Sequence, residues 1–281
     1  MFVVNHCTVT PVRQEPSEGS EQLTQLLFGE VCEVLDRLPR WTKIRSILDG
    51  QEGWVDFKML TTASNLSPNA SCTPATVVAV PVAIATAMET GEEMMLTLGT
   101  RLPNYAHGTF EVLGKQYLID PSFVCSLEVT RLLGDKVTQK MEDFSVAPQV
   151  KGEDVCAIAQ TLLNAPYLWG GKNAMGIDCS GFTQVVYSVF GVNLLRNARE
   201  QITQGVLVPS LAEAQPGDLA FFDHADRNPK ETNISHVGLL LDNQTIIHCS
   251  GCVHIDSIDE QGIHLADGEL THHLVQIKRY L

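Results

Sequence analysis

The 281-residue chain is poor in positive charge, because 19 Lys and Arg residues face 33 Asp and Glu residues and leave a formal net charge of −14. Nucleic acids and anionic membrane surfaces are bound by basic patches, so we expect neither as a partner. Long apolar runs are lacking as well. The longest weakly polar stretch, residues 75–88, contains Pro81 and is too short to span a bilayer, so we expect no membrane insertion.

Signals of secretion are also lacking. Residues 1–7 hold no basic region, no long apolar segment and no small-residue cleavage site, so we expect no signal peptide. The eight cysteines follow no regular spacing, and Cys249 and Cys252 form a C-x-x-C pair without the second pair of a zinc finger. Reduced thiols, a cytoplasmic location and no cofactor are the resulting expectations.

The first part of the chain, residues 1–62, has the pattern of short strands joined by turns. Polar and apolar residues alternate over 29–35 and again over 41–45, which predicts half-buried strands. A turn at Asp49-Gly50 leads into another strand at 53–55. About five short strands in so little chain predict a small barrel.

A polar, Pro-containing stretch at residues 63–74 predicts a linker. Strand patterns return over 75–145 and are clearest at 96–103, 108–113 and 115–119. The two strand-rich parts are similar in length and composition, which indicates that the second is a diverged duplicate of the first.

The pattern changes at about residue 150. Apolar residues recur at helical spacing over 154–163, Asp178 is placed to cap a second helix ending near Phe190, and a short third helix is predicted at 196–204. Strands follow at 219–222, 236–241, 245–249 and 275–280. Helices first and an antiparallel sheet later predict an α+β domain over 150–281.

Cys179 stands at the predicted start of the second helix. Free backbone N–H groups and the positive end of the helix dipole favour a thiolate there, the nucleophile that acyl transfer requires. Asp178 precedes it, and a neighbouring negative charge raises the pKa of a thiol. We therefore expect Asp178 to have another duty, such as capping the helix or binding a cationic group.

Two histidines follow at hairpin spacing. His236 and His248 are twelve residues apart, and a loop centred on Asp242 would place them opposite each other on one face of the sheet. One ring could then remove the thiol proton while the other fixes its tautomer, as in a cysteine peptidase. The alternative is a zinc site, whose ligands would be Cys179, His236, His248 and either Cys249 or Cys252.

Five segments of the sequence resemble the NlpC family of bacterial cell-wall cysteine peptidases. They are Pro166–Gly171, Gly176–Phe182, Pro216–Phe222, Ile234–Gly238 and Ile247–His248. The resemblance implies a papain-like fold and a Cys–His–polar triad, which falls on Cys179, His236 and His248. It also implies that Tyr167 helps to form the oxyanion site and that no metal takes part.

The front of the chain resembles bacterial SH3-like domains through the Trp41 strand and Gly53–Val55. Two such domains before an NlpC domain resemble the YkfC-like group, of the dipeptidyl-peptidase VI type. The implied fold is multidomain: two all-β SH3-like barrels at 1–62 and 75–145, which pack against an α+β papain-like cysteine peptidase domain at 150–281.

That group acts on peptides released from peptidoglycan. The resemblance implies that Asp178 and Ser180 hold the free N-terminal amine of the substrate, together with a Glu of the first SH3-like domain. Glu21 is the first choice for this Glu and Glu30 the second.

The predicted function is hydrolysis of the γ-D-glutamyl–L-diamino acid bond in short peptides with a free N-terminal L-Ala, as in murein peptide recycling. The alternatives are an endopeptidase acting on intact peptidoglycan and a non-catalytic wall-binding SH3-like protein. The sequence specifies neither the diamino acid nor the oligomeric state.

Overall fold

The computed structural model describes residues 1–63, 76–126, 150–224 and 233–281. The predicted linker at 63–74 lies outside the described residues except for Ala63. The described chain forms three packed units, which we call the N-terminal β unit, the second β unit and the C-terminal unit. All pairs of named strands are antiparallel. Among the described helices, none is long and apolar enough to cross a membrane.

The N-terminal β unit is a single seven-stranded sheet in the order β3-β2-β6-β5-β4-β1-β7. Its strands are β1 Phe2–Asn5, β2 Val9–Arg13, β3 Gln22–Leu27, β4 Val31–Arg37, β5 Trp41–Ser46, β6 Glu52–Asp56 and β7 Leu60–Ala63. The strands predicted at 41–45 and 53–55 are confirmed as β5 and β6. Alternate residues of these strands, including Val12, Ile44 and Val55, are fully buried and form the core of the unit.

The second β unit comprises a four-stranded sheet, β10-β9-β13-β12, and a three-stranded sheet, β11-β8-β14. Its strands are β8 Thr76–Val78, β9 Val82–Ala87, β10 Glu93–Thr97, β11 Arg101–Leu102, β12 Thr109–Val112, β13 Lys115–Ile119 and β14 Val124–Ser126. The single strand predicted at 96–103 is wrong. The chain turns at Gly99, whose φ of +83° suits glycine, and the Thr100 N–H donates to the Thr97 carbonyl at 3.0 Å.

The C-terminal unit has three helices, α1 Gly152–Gln160, α2 Cys179–Ser188 and α3 Ala198–Gln201. Its strands are β15 Lys172–Asn173, β16 Gly176–Ile177, β17 Val206–Val208, β18 Leu219–His224, β19 His236–Leu240, β20 Thr245–Ser250, β21 Cys252–Ile258, β22 Gly262–His264 and β23 Leu270–Arg279. The main sheet runs β17-β23-β18-β19-β20-β21-β22, and β22 also pairs with β23. Six strands therefore close into a barrel.

Helix α2 packs on the outside of this barrel. Phe182, Val185 and Val186 are buried in one core with Val237 of β19 and Ile247 of β20. Burial of each such side chain stabilises the fold by about 1.5–3 kcal/mol. The packing holds the first residue of α2 against the strand that begins with the predicted base.

The third predicted helix is shorter than expected. Asn197 is its N-cap, and the Glu200 carboxylate accepts from the Asn197 N–H at 3.1 Å. This capping box starts the helix at Ala198 and leaves Arg196 outside it, free to enter the core.

Both β units pack against the C-terminal unit. Leu98 of the second β unit joins the core around α2, and the Arg101 guanidinium donates to the Asn193 side chain at 2.6 Å. The N-terminal β unit contacts the segment that precedes Cys179, through strand β3.

Candidate active site

The nucleophile predicted from the sequence is the first residue of α2. Asp178 is the N-cap, and its carboxylate accepts from the Gly181 N–H at 2.6 Å. Burial, and then the Asp178 charge, raise the pKa of the Cys179 thiol to about 12, although the N–H groups of Val237 and Ser180 act in the opposite direction. The helix start therefore does not yield a resting thiolate, and a base must take the proton during the reaction.

The β19–β20 hairpin brings the two histidines together, but in a different register from the prediction. Gly238, not His236, lies opposite His248, so the loop is centred on Asn243 rather than Asp242. A Cβ on Gly238 would lie 2.9 Å from the Cβ of His248. Because glycine leaves that space open, the His248 ring crosses the strand diagonally and its Nδ1 reaches the His236 Nε2 at 2.8 Å.

A carboxylate on the next strand continues this chain of hydrogen bonds. The His248 Nε2 lies 3.1 Å from the Asp256 Oδ2, and burial lowers the pKa of His248, which keeps the ring neutral. A carboxylate only accepts, so the His248 proton is on Nε2 and its Nδ1 accepts from the His236 Nε2–H. The N–H of Val237, the residue after His236, points to the Cys179 sulfur.

Asp256 is thus a positioning residue that the sequence analysis missed. It lies on β21, which was not among the predicted strands, although residues 252–258 alternate in the manner of a half-buried strand. Hydrogen bonding to His248 lowers the pKa of Asp256, so the carboxylate stays ionised.

We expect Asp256→Asn to lower kcat by roughly 10–100-fold with little change in KM, because the amide no longer imposes one tautomer on His248. The measurement is steady-state kinetics of the purified full chain. Asp259→Asn is the matched control, since Asp259 pairs with His264 at 3.0 Å on the same sheet. Equal kinetics for the two variants would contradict the positioning role.

Tyr167 lies close enough to Cys179 for the two groups to interact electrostatically. Its N–H donates to the Gly251 carbonyl at 2.8 Å, and its side chain is 36% exposed. Burial, and then the charges of Cys179 and Asp178, raise the pKa of Tyr167 far above its ordinary value. The phenol therefore keeps its proton and is available as a hydrogen-bond donor.

Asp178 has both of the duties that were expected of it, because it caps α2 and pairs with a cationic side chain of the same chain. Arg196, which is 1% exposed, donates to both of its oxygens at 3.0 and 2.7 Å, and the Gly170 N–H donates at 2.8 Å. The Ser180 hydroxyl donates to Asp178 at 3.3 Å and accepts from Arg196 at 2.9 Å. With the helix-cap bond, these donors occupy the roughly four lone-pair sites of a carboxylate.

The sequence analysis missed Arg196. Its partner, Asp178, lies eighteen positions earlier, and this spacing does not indicate that the two side chains form a buried pair. Its Nε also donates to the Thr24 hydroxyl of β3 at 2.7 Å. This one guanidinium therefore ties the nucleophile's helix to the N-terminal β unit.

Replacing Arg196 by Met is expected to destabilise the full chain by about 3–5 kcal/mol, because the Asp178 charge stays buried without its partner. The measurement is the urea midpoint of unfolding. Arg199→Met, at an exposed position on α3, is the matched control and should shift the midpoint little. Equal midpoints for the two variants would show that the buried pair does not hold the site together.

Strand β3 of the N-terminal β unit forms a wall beside the site. The Gln25 side chain accepts from the N–H of Lys172 and from the side chain of Asn173, each at 2.8 Å. At Gly170, with φ +73°, a Cβ would run into the Gln22 carbonyl, so glycine is required for this close approach. The predicted packing of this unit against the catalytic segment is confirmed by these contacts.

The structure separates the two Glu residues proposed for substrate binding. The Glu21 carboxylate accepts from the Trp169 Nε1–H at 2.8 Å and is exposed. Glu30 is buried and pairs with the Lys172 ammonium at 3.1 Å. Glu21 thus contacts the segment that precedes Cys179 from the solvent side, whereas Glu30 belongs to the interface between the units.

The alternative zinc ligands do not form a metal-binding group. Within the described residues, the group close enough to share a metal ion is His248, His254 and Asp256. The Cys249 thiol instead donates to the Ile177 carbonyl at 3.2 Å in the core.

The chain is similar to several known proteins. A gamma-D-glutamyl-L-lysine dipeptidyl-peptidase of Bacillus cereus is 26% identical over 242 residues, which cover 80% of this chain and 66% of that protein. A dipeptidyl-peptidase 6 of Lysinibacillus sphaericus is 35% identical over 139 residues, which cover 48% of this chain and 46% of that protein.

The crystal structure of an NlpC/P60 family protein from Bacillus cereus has the same fold over 100% of both chains, with a TM-score of 0.79 and 21% identity. Residues 164–267 match the NlpC/P60 family and residues 8–61 match the bacterial SH3 domain. The chain therefore contains a bacterial SH3 domain followed by a domain of the NlpC/P60 family of cysteine peptidases.

Proposed function

We propose that this protein hydrolyses the γ-D-glutamyl–L-diamino acid bond of short peptidoglycan peptides that carry a free N-terminal L-Ala. The observation that carries the proposal is the packing of β3 against the segment that precedes Cys179. The exposed Glu21 carboxylate, directly before β3, accepts a hydrogen bond from Trp169 of that segment. Both relatives described above are named as dipeptidyl-peptidases, which supports short peptides as the substrate class.

The proposed reaction begins with transfer of the Cys179 proton to the His236 Nδ1. The sulfur attacks the γ-carbonyl carbon, and the resulting oxyanion is stabilised by the Tyr167 hydroxyl and by N–H groups at the start of α2. His236 then gives its proton to the leaving amine of the diamino acid, and the C–N bond breaks. In the second half, His236 takes a proton from water, whose oxygen attacks the thioester carbon. The C–S bond then breaks, the dipeptide leaves, and His236 returns the proton to the Cys179 sulfur.

Recognition of the free amine is assigned to Glu21. Asp178 already accepts from Arg196, Gly170 and Gly181, so it has no lone pair left for a substrate ammonium. Glu21 is exposed and carries one hydrogen bond, from Trp169. In this proposal two residues lie between the ammonium beside Glu21 and the scissile bond, so the expected product is a dipeptide.

The proposed domain organisation is two SH3-like domains at 1–62 and 75–145 and a papain-like domain at 150–281. Each β unit ends in an Asp-capped 3₁₀ turn followed by a strand, with Asp56 and Asp120 as the caps, which supports the duplication. A nucleophile on a helix end and a base on a barrel strand support the papain-like arrangement. We also propose a cytoplasmic location, in which the enzyme would act on peptidoglycan peptides that are being recycled.

The test is to compare free L-Ala-γ-D-Glu-diamino acid tripeptide with intact sacculi as substrates for the full chain. We expect release of diamino acid from the tripeptide and no solubilisation of sacculi. The reverse pattern would favour an endopeptidase of intact peptidoglycan. Binding to sacculi without hydrolysis of either would favour a wall-binding protein.

A further inference from the structure

A cluster of three ligand-type side chains lies on the outer side of the histidine pair. In the β20–β21 register His248 is directly opposite His254, and Asp256 is two residues further along β21. The Nε2 atoms of the two rings each lie 3.1 Å from the same Asp256 Oδ2, and the three atoms are within 4.8 Å of one another. The edge of a zinc tetrahedron with N and O ligands is about 3.3 Å, so the spacing needs little adjustment.

The contacts of His254 suit a metal ligand. Its Nδ1 lies 2.8 Å from the Cys252 carbonyl, which only accepts, so the ring proton is on Nδ1. In the neutral ring the Nε2 lone pair then faces the Asp256 carboxylate at 3.1 Å. A metal ion between the two atoms would satisfy both. A metal-binding imidazole that donates its other N–H to a backbone carbonyl is the usual second-shell arrangement in metal sites.

The cluster is also reachable. The side chains of His254 and Asp256 are 31% and 14% exposed, whereas that of His248 is 2% exposed. A cation can therefore enter from solvent, bind all three groups and keep a water as a fourth ligand. Two imidazoles and one carboxylate suit Zn²⁺, while Mg²⁺ and Ca²⁺ prefer oxygen ligands.

We propose that His248, His254 and Asp256 form an inhibitory Zn²⁺ site. The site differs from the zinc set considered from the sequence, since no cysteine belongs to it. It is regulatory, and the reaction itself uses no metal.

Inhibition follows from the loss of one hydrogen bond. Zn²⁺ on the His248 Nε2 displaces the proton that this ring donates to the Asp256 carboxylate, and that proton passes to solvent. The carboxylate then binds the metal instead of His248, so it no longer holds the His248–His236 pair in the orientation that the proposed reaction needs.

The binding test uses titration calorimetry of the full chain with Zn²⁺ alone. His254→Gln removes one ligand and keeps the Asp256–His248 pair, and it should weaken binding by at least about 10-fold. His264→Gln is the matched control, because His264 also contacts a carboxylate and a backbone carbonyl on the same sheet. Binding of one Zn²⁺ that is equally tight in wild type and His254→Gln would overturn the site, as would no binding at all.

Two further readouts separate this site from zinc on the nucleophile. Co²⁺ bound at the proposed ligands should give no thiolate-to-metal charge-transfer band, whereas such a band would place the metal on Cys179 or another thiol. The Zn²⁺ concentration for half-inhibition should rise at least about 10-fold in His254→Gln and stay unchanged in His264→Gln. The calorimetry does not depend on the proposed substrate, so its outcome is separate from the outcome of the peptidase assay.

Discussion

Cys179→Ala is expected to lower the rate of tripeptide hydrolysis by roughly 10⁴-fold or more, to the level of the uncatalysed control. In the proposed reaction the Cys179 sulfur forms the acyl intermediate, and His236, which is hydrogen-bonded to His248 and through it to Asp256, takes the thiol proton. Alanine keeps the helix and its Asp178 cap, so the loss should appear in kcat without loss of folding.

Cys252→Ala is the control for this substitution. The Cys252 side chain is half-buried on the same sheet, and it is the backbone carbonyl, not the thiol, that contacts His254. Its activity should stay close to that of the wild type, and circular dichroism of both variants should match the parent. Retained hydrolysis in Cys179→Ala would remove this residue from the reaction.

Acetylation of the substrate's N-terminal amine should reduce kcat/KM by at least about 100-fold, because it removes the charge that pairs with Glu21. Burying a charge-assisted hydrogen bond contributes about 1.5–3 kcal/mol, and the acetyl group must also fit against the wall formed by β3. The measurement compares free and acetylated tripeptides under identical conditions.

The variant that tests this assignment is Glu21→Gln. It should lower kcat/KM for the free peptide and leave that for the acetylated peptide nearly unchanged, so the preference shrinks. Glu18→Gln is the matched control, because Glu18 is an exposed Glu paired with Arg40 at 3.0 Å in the same β unit. A preference that survives intact in Glu21→Gln would assign amine recognition to another group, and equal rates on both peptides would favour an endopeptidase.

The nucleophile and the two histidines could be predicted from the sequence because local patterns specify them. A cap residue before an apolar helical face predicts Cys179 at a helix start, and the even spacing of His236 and His248 across a short loop predicts that they lie on one face. The structure brings these residues together. The exact pairing could not be predicted, because a shift of the loop centre from Asp242 to Asn243 depends on the packing of His248 over Gly238.

The electrostatics of the site were harder to predict than its members. The sequence placed Asp178 beside the thiol, but not Arg196 against Asp178, since that contact is set by the loop after α2 and by Thr24 of another unit. The effect of burial on the Cys179 thiol likewise depends on the surrounding packing. The expectation of a thiolate considered the helix start alone. Burial has the larger effect on the pKa of Cys179, and it acts in the opposite direction.

Asp256 and His254 were missed in the sequence analysis for a different reason. Buried and more exposed residues alternate along β21 over 252–258. A partly exposed His and Asp on such a strand are nevertheless ordinary surface residues until the neighbouring strand is known. Only the pairing of β21 with β20 brings both against His248. The contacts that orient His236 are thus set by the pairing of strands and not by a local sequence motif.

The central claim is that the chain cuts after the second residue of a free peptide. Its most direct test is a digest of L-Ala-γ-D-Glu-L-diamino acid tripeptide, with the products identified by mass. The account predicts the dipeptide L-Ala-γ-D-Glu and the free diamino acid in equal amounts. Release of L-Ala with the γ-D-Glu-diamino acid dipeptide, or recovery of intact tripeptide alone, would contradict it.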